Sequence, residues 1–79
     1  MHQIDTTAQF IAAVRALTEK GHSLNEICRA AEIDKRNLCR LLREPDKHTP
    51  RPSWLTALCV VFGVSPSFLI IADGPVFRP

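Results

Sequence analysis

Residues 23–45 read SLNEICRAAEIDKRNLCRLLREP, and the fold turns on how this stretch divides. Ser23 is a good helix N-cap, and Glu26 three residues on completes the capping-box pattern, in which each side chain satisfies a backbone N–H of the other residue. Leu24, Ile27, Cys28 and Ala31 then recur at i, i+3, i+4 and i+7, the spacing of one buried helical face, and leave Asn25, Glu26 and Arg29 to water. A helix of about eight residues is unstable in isolation and must dock. Past Glu32 and Ile33, Asp34 caps the next helix, which has to stop before Pro45 because the residue preceding a proline disfavours helical angles. Two short helices joined by a tight turn are the layout of a helix-turn-helix.

The second of these helices divides its chemistry by side. At about 100° per residue, with Lys35 at zero, Arg36, Arg40 and Arg43 fall near 100°, 140° and 80°. Leu38, Leu41 and Leu42 fall near 300°, 240° and 340°, so the leucines anchor the helix while the arginines project from the opposite side. Lys35 and Cys39 lie on the border nearer the arginines, and Asn37 lies on the other. A basic helical face taken alone is as a rule solvated surface. Its place as the second helix of a tight pair is what singles this one out.

The pattern predicts helix elsewhere too. A first helix starts near Asp5 or Thr6 and runs to about Lys20, with Phe10, Val14 and Leu17 on its buried face, Ala13 beside them, and Gly21 as its stop. The loop EPDKHTPRP over 44–52, rich in proline, is stiff and partly extended. Ser53 caps a fourth helix, WLTALCVVF, with Leu55, Leu58, Cys59 and Phe62 as its core stripe, Trp54 and Val61 on another face, and Gly63 at its end. Ser65 and Pro66 read as N-cap and first residue of a fifth, which carries Phe68, Leu69, Ile70 and Ile71 and ends at Asp73-Gly74. The expectation is one all-α domain over residues 1–79, a compact five-helix body over about 5–73 with a tail over 74–79.

Composition narrows the function. The chain has 79 residues, is 46% hydrophobic and carries a formal net charge of +2, the profile of one small globular domain. A body of this size is marginally stable alone and gains from a partner subunit. Its charge is uneven: Lys35, Arg36, Arg40, Arg43, Lys47 and Arg51 stand against Glu44 and Asp46 within 35–51, while the rest of the chain carries four cations against six acids. A basic segment on a slightly acidic body suits a polyanion. Cys28, Cys39 and Cys59 match no zinc spacing and, being odd in number, no disulfide framework, which points to reduced thiols in the cytoplasm. No apolar run approaches the roughly 20 residues of a membrane span. No catalytic constellation and no phosphate-cradling glycine loop is present, so neither an enzyme, a cofactor, a metal nor a small-molecule substrate is expected. His22 and His48 read as solvated loop residues.

From Ser23 to Leu69 the chain resembles the lambda-repressor-like helix-turn-helix family of phage repressors, Cro-type proteins and XRE regulators. The resemblance rests on Ile27-Cys28 at the end of helix two, the turn Glu32-Ile33-Asp34, the buried Leu38, the run from Pro52 to Leu58, and Gly63-Val64-Ser65-Pro66-Ser67-Phe68-Leu69. It implies a homodimeric regulator of transcription, a repressor rather than an activator, that binds double-stranded DNA with helix three in the major groove. Lys35, Arg36 and Arg40 then face base edges, with Asn37 beside them. Phosphate contacts come from Ser23 and Asn25 at the start of helix two, from Arg43, and from Lys47, His48 and Arg51 on the loop. The chain departs from the family in three places: Leu24 stands at a usually polar position, Glu32 at a usual glycine, and the 44–52 loop is long. That loop reads equally as an ordinary charged surface. Ile70, Ile71, Val76 and Phe77 either close the core beneath helix one or form a two-fold contact. The expectation is a mixture, with Trp54, itself partly buried, and Val61 on the same interface. Two rival readings are an antitoxin-like interaction module that uses the apolar C-terminal region, and the DNA-targeting fragment of a recombinase, against which stands the end of the chain at Pro79.

Overall fold

The computed structural model describes residues 6–78. Five helices follow in order: α1 (Thr7–Glu19), α2 (Leu24–Ala31), α3 (Lys35–Arg43), α4 (Pro52–Phe62) and α5 (Pro66–Ile71). No named strand occurs among the described residues, so the fold is all-α, with α2 and α3 in contact as a helix-turn-helix. Helix α2 also packs on α4, α1 on α5, and α4 on α5. One core joins them all, built from Phe10, Val14 and Leu17 of α1, Ile27 of α2, Leu38 and Leu41 of α3, Leu58 of α4, Val64, and Leu69 of α5.

The caps explain the helix starts. Ser23 Oγ accepts from the Glu26 backbone N–H at 3.1 Å, and Asp34 Oδ1 accepts from that of Arg36 at 2.8 Å. Ser65 Oγ accepts more weakly from Phe68 at 3.5 Å. Each satisfies a donor that the first turn would otherwise leave orphaned. The box on α2 is only half made, since the Glu26 carboxylate is taken by His22 Nδ1 instead. Thr6 stands at the N-cap of α1 without a side-chain bond, and Asp5 lies outside the described residues. Ser53 does not cap α4. That helix starts two residues earlier than expected, with Arg51 as N-cap and Pro52 in the first turn, where proline's preset φ fits and its missing N–H costs nothing. Helix α5 ends at Ile71, two residues short of Asp73, with Ala72 in the left-handed region at φ 54°.

The tail is where sequence reading says least. Having no helical signal, it folds back in extended form and pairs with the α4–α5 connection through an isolated antiparallel bridge between Val64 and Phe77. The Ser65 N–H donates to the Val76 carbonyl at 2.7 Å, and the Arg78 N–H to that of Gly63 at 2.9 Å. Arg78 Nη2 caps the Cys59 carbonyl at 3.0 Å. The Lys20 ammonium lies 4.0 Å from the Phe77 ring centroid. Val76 and Phe77 are half-buried and pack against the chain's own core.

Helix α4 turns the expected stripe toward the core and buries Trp54 beside it. Trp54 is only 7% exposed and Leu58 fully buried, while Leu55, Cys59 and Phe62 are half-buried. The Trp54 ring lies 5.9 Å from that of Phe10 between centroids. On a helix apolar nearly all round, the pattern does not say what is buried beside the stripe, and the bulk of the indole against Phe10 decides it. Trp54 is thus a core residue and offers no surface to a second subunit.

Glu32 closes α2 in the left-handed region, at φ 56° and ψ 44°. For a residue with a Cβ this conformation costs roughly 1–2 kcal/mol. Glu32→Gly is expected to raise stability by about 0.5–1 kcal/mol, after the extra freedom glycine gives the unfolded chain. Thermal unfolding would then shift upward by a few degrees. A lower midpoint would show that the Glu32 side chain contributes more than its backbone costs.

Candidate nucleic-acid interface

The turn through Glu32, Ile33 and Asp34 sets α3 across α2, with Ile33 buried as the hinge anchor and its N–H bonded to the Cys28 carbonyl at 2.9 Å. Leu38 and Leu41 then drive into the core, at 0% and 1% exposure, and Leu42 is half-buried beside them. The opposite side is thereby forced outward. Lys35, Arg36, Arg40 and Arg43 are all exposed, and Asn37 and Cys39 are half-exposed on the two borders.

Two depressions flank this face and meet at Arg40. The first lies on the outer side of α3 and is lined by Asp34, Lys35, Arg36, Cys39, Arg40 and Arg43. The second lies between α3 and the 44–51 loop and is lined by Asn37, Arg40, Leu41, Lys47, His48, Thr49, Arg51 and Trp54. The loop does not stand off in solvent. A turn closed by the Lys47 N–H on the Glu44 carbonyl, and the burial of Pro50, bring it back beside α3. The residues assigned separately to base and phosphate contact, Asn37 and Arg40 on one side and Lys47, His48 and Arg51 on the other, thus surround one concavity. Thr49 joins them. Sequence reasoning passed it over because a lone threonine among prolines carries no pattern.

The electrostatics are one-sided. Among the described residues Lys47 pairs with Glu44 at 3.0 Å, on a solvent-exposed surface where such a pair contributes little. Among the described residues no acidic side chain pairs with Lys35, Arg36, Arg40, Arg43 or Arg51. Ser23 and Asn25 are exposed at the start of α2 but line neither depression. The His22–Glu26 pair beside them also places a carboxylate there. The start of α2 is a weaker anion surface than α3 and its loop.

Burial pushes the Cys28 thiol above its ordinary range; nearby Cys39 adds to the shift, and Lys35 opposes it. Burial likewise raises Cys59, against the opposing charge of Arg78. Both are free thiols, protonated at neutral pH and poor nucleophiles. No three His, Cys, Asp or Glu side chains gather in a way that holds a metal ion among the described residues, and no helix there is long and apolar enough to cross a membrane.

A second surface lies on α4 and α5. Val60, Val61, Ile70 and Ile71 are 74%, 49%, 46% and 64% exposed, the large apolar side chains that the fold leaves in solvent among the described residues. An apolar groove lined by Leu55, Cys59, Leu69 and Ile70 runs between the two helices. Val61, Ile70 and Ile71 are the residues the sequence assigned to an interface. Val60 is the one it missed, although four successive apolar positions closing a helix cannot all face the core. No family model, curated protein or solved structure matches the chain.

Proposed function

We propose that this chain is a sequence-specific double-stranded DNA-binding protein, a cytoplasmic transcriptional repressor acting as a homodimer on an inverted-repeat operator. The observation that carries the reading is the division of α3: Leu38 and Leu41 fully buried on one side, Lys35, Arg36, Arg40 and Arg43 exposed and unpaired on the other. Like charges crowded on one helix repel, and a polyanion relieves that repulsion. The major groove, about 12 Å wide, admits one helix, and arginine reads guanine there through its O6 and N7. Lys35, Arg36, Asn37 and Arg40 take the bases. Arg43, Lys47, His48 and Arg51 take phosphates, with Ser23 and Asn25 as further contacts at the α2 start.

A single helix reads too few base pairs to find one site in a genome, and two half-sites about 34 Å apart multiply its discrimination. Val61, Ile70 and Ile71, with Val60, supply the two-fold contact that such a dimer needs. The same exposed apolar face favours the rival reading of a protein-interaction module of the antitoxin kind. Salt separates the two: DNA affinity falls steeply as salt rises, because releasing counterions then gains less, whereas burial of an apolar face has no such dependence.

Selection of binding sites from random duplexes tests the proposal. Enrichment of an inverted repeat with half-sites one helical turn apart, or a multiple of it, is the expected result; a pool that stays random ends it. With the selected duplex, Lys47→Ala should weaken all sequences alike and reduce the slope of log affinity against log salt by about one per protomer.

A further inference from the structure

We propose that Cys28 and Cys39 form a thiol pair across the α2–α3 contact, that a peroxide closes the pair into a disulfide, and that the closed pair loosens the grip of α3 on its duplex. The bond is independent of the DNA reading; its effect on affinity rests on that reading.

The placement of the two thiols carries the proposal. They belong to the two helices of the helix-turn-helix, which pack on each other. Cys28 lies on the inward face of α2 with Ile27 and Ala31, at 6% exposure. Its carbonyl accepts the N–H of Ile33 at 2.9 Å, so the turn folds back over it and α3 begins two residues later. Cys39 lies one helical turn past Lys35 on the same stripe of α3, at the border between the buried leucines and the exposed arginines. That border is the part of α3 that an inward residue of α2 meets. The electrostatics agree. After burial, which is the first cause of the raised Cys28 thiol, the charge it feels most is that of Cys39, followed by those of Lys35 and Asp34. The third cysteine stands apart, on α4 in the groove against α5.

The pair is asymmetric in a way that suits oxidation. Cys39 is half-exposed and opens onto the outer depression of α3, where a small peroxide reaches it, while Cys28 is shielded. Cys39 Sγ attacks one peroxide oxygen, the O–O bond breaks, and the thiol proton leaves with the other oxygen as water, giving a sulfenic acid. Cys28 Sγ then attacks the Cys39 sulfur, the S–O bond breaks, and the hydroxide leaves with the Cys28 proton as a second water. One peroxide is reduced by two electrons, and two thiols are oxidised to one disulfide. Cys28 is a poor nucleophile toward reagents in solution, but here proximity replaces concentration. A disulfide holds its two Cα atoms within about 7 Å. Closing it draws Cys39 toward α2 and turns the Lys35 and Arg40 side of α3 from the angle at which Leu38 and Leu41 hold it.

The full-length protein in native buffer is treated with hydrogen peroxide, alkylated and digested with trypsin. The expected product is fragment 21–29 joined to fragment 37–40, with Cys59 alkylated, and dithiothreitol should reverse it. Affinity of the oxidised protein for the selected duplex is expected to fall about tenfold, the value of one bidentate base contact, and to return on reduction. Cys28→Ala should bind like the reduced wild type and lose the peroxide response. Cys39→Ser, at a half-exposed position, should lose it too, and thermal unfolding checks that both variants are folded. Cys39 oxidised to sulfinic acid with Cys28 still alkylated, a bond that involves Cys59 or a second chain, or a peroxide response that persists in Cys28→Ala overturns the pair. A Cys28–Cys39 bond that leaves affinity unchanged overturns the switch while the DNA reading stands. That bond without duplex binding in either redox state upholds the pair and ends the DNA reading.

Discussion

Arg40→Ala is expected to cost about 1–3 kcal/mol of affinity for the selected duplex per protomer, and to relax base preference at one position of each half-site. Affinities measured against a panel of single-base variants of the duplex check this. The wild-type protein should discriminate at that position and the variant should not. The reason lies in how Arg40 is held. Its side chain is exposed, pairs with no acid, and projects from a helix whose far side is locked by Leu38 and Leu41. The guanidinium is therefore presented without a competing partner to break. For the same reason the substitution should leave the unfolding midpoint almost unchanged, which separates lost contact from lost fold. Weakening that is equal for every sequence would place Arg40 on a phosphate. Affinity left untouched would mean that α3 does not face the duplex at all.

The second large effect is on stability. Leu38→Ala removes a fully buried side chain at the junction of the helix-turn-helix with the core, and should destabilise the protein by about 2–5 kcal/mol. Small domains have only about 5–15 kcal/mol in total, so the loss is a large share. In urea the midpoint should fall while the slope stays the same, and the thermal midpoint should drop by roughly 4–8 °C for each kcal/mol lost. DNA binding should decline only in proportion to the unfolded fraction and recover on adding a stabilising osmolyte. A cost below about 1 kcal/mol would show that Leu38 is not what anchors α3, a value typical of surface positions. Arg40→Ala and Leu38→Ala thus probe opposite sides of one helix, one in affinity and the other in stability.

The split between those sides was legible in the sequence because it is local. Helical geometry fixes which side chains share a face, so Leu38 and Leu41 against Arg36, Arg40 and Arg43 follow from spacing alone. The caps Ser23, Asp34 and Ser65 were legible for the same reason, since each acts on a backbone group two or three residues away. Glu26 was misread because the competitor for its carboxylate, His22, lies outside the helix pattern. Ser53 was passed over as a cap in favour of a helix opening on Pro52, a choice between two locally acceptable starts.

What spacing settles, then, is the existence and order of five helices and the two-sided character of α3. Only tertiary packing decided that Trp54 is buried against Phe10, that the tail returns to pair with Val64, and that the proline-rich loop folds back to set Lys47, His48 and Arg51 beside Arg40. Each of these is a competition among groups distant in the chain. It is won by volume, by backbone donors needing acceptors and by the burial of Pro50, and none of those terms has a period that the sequence displays.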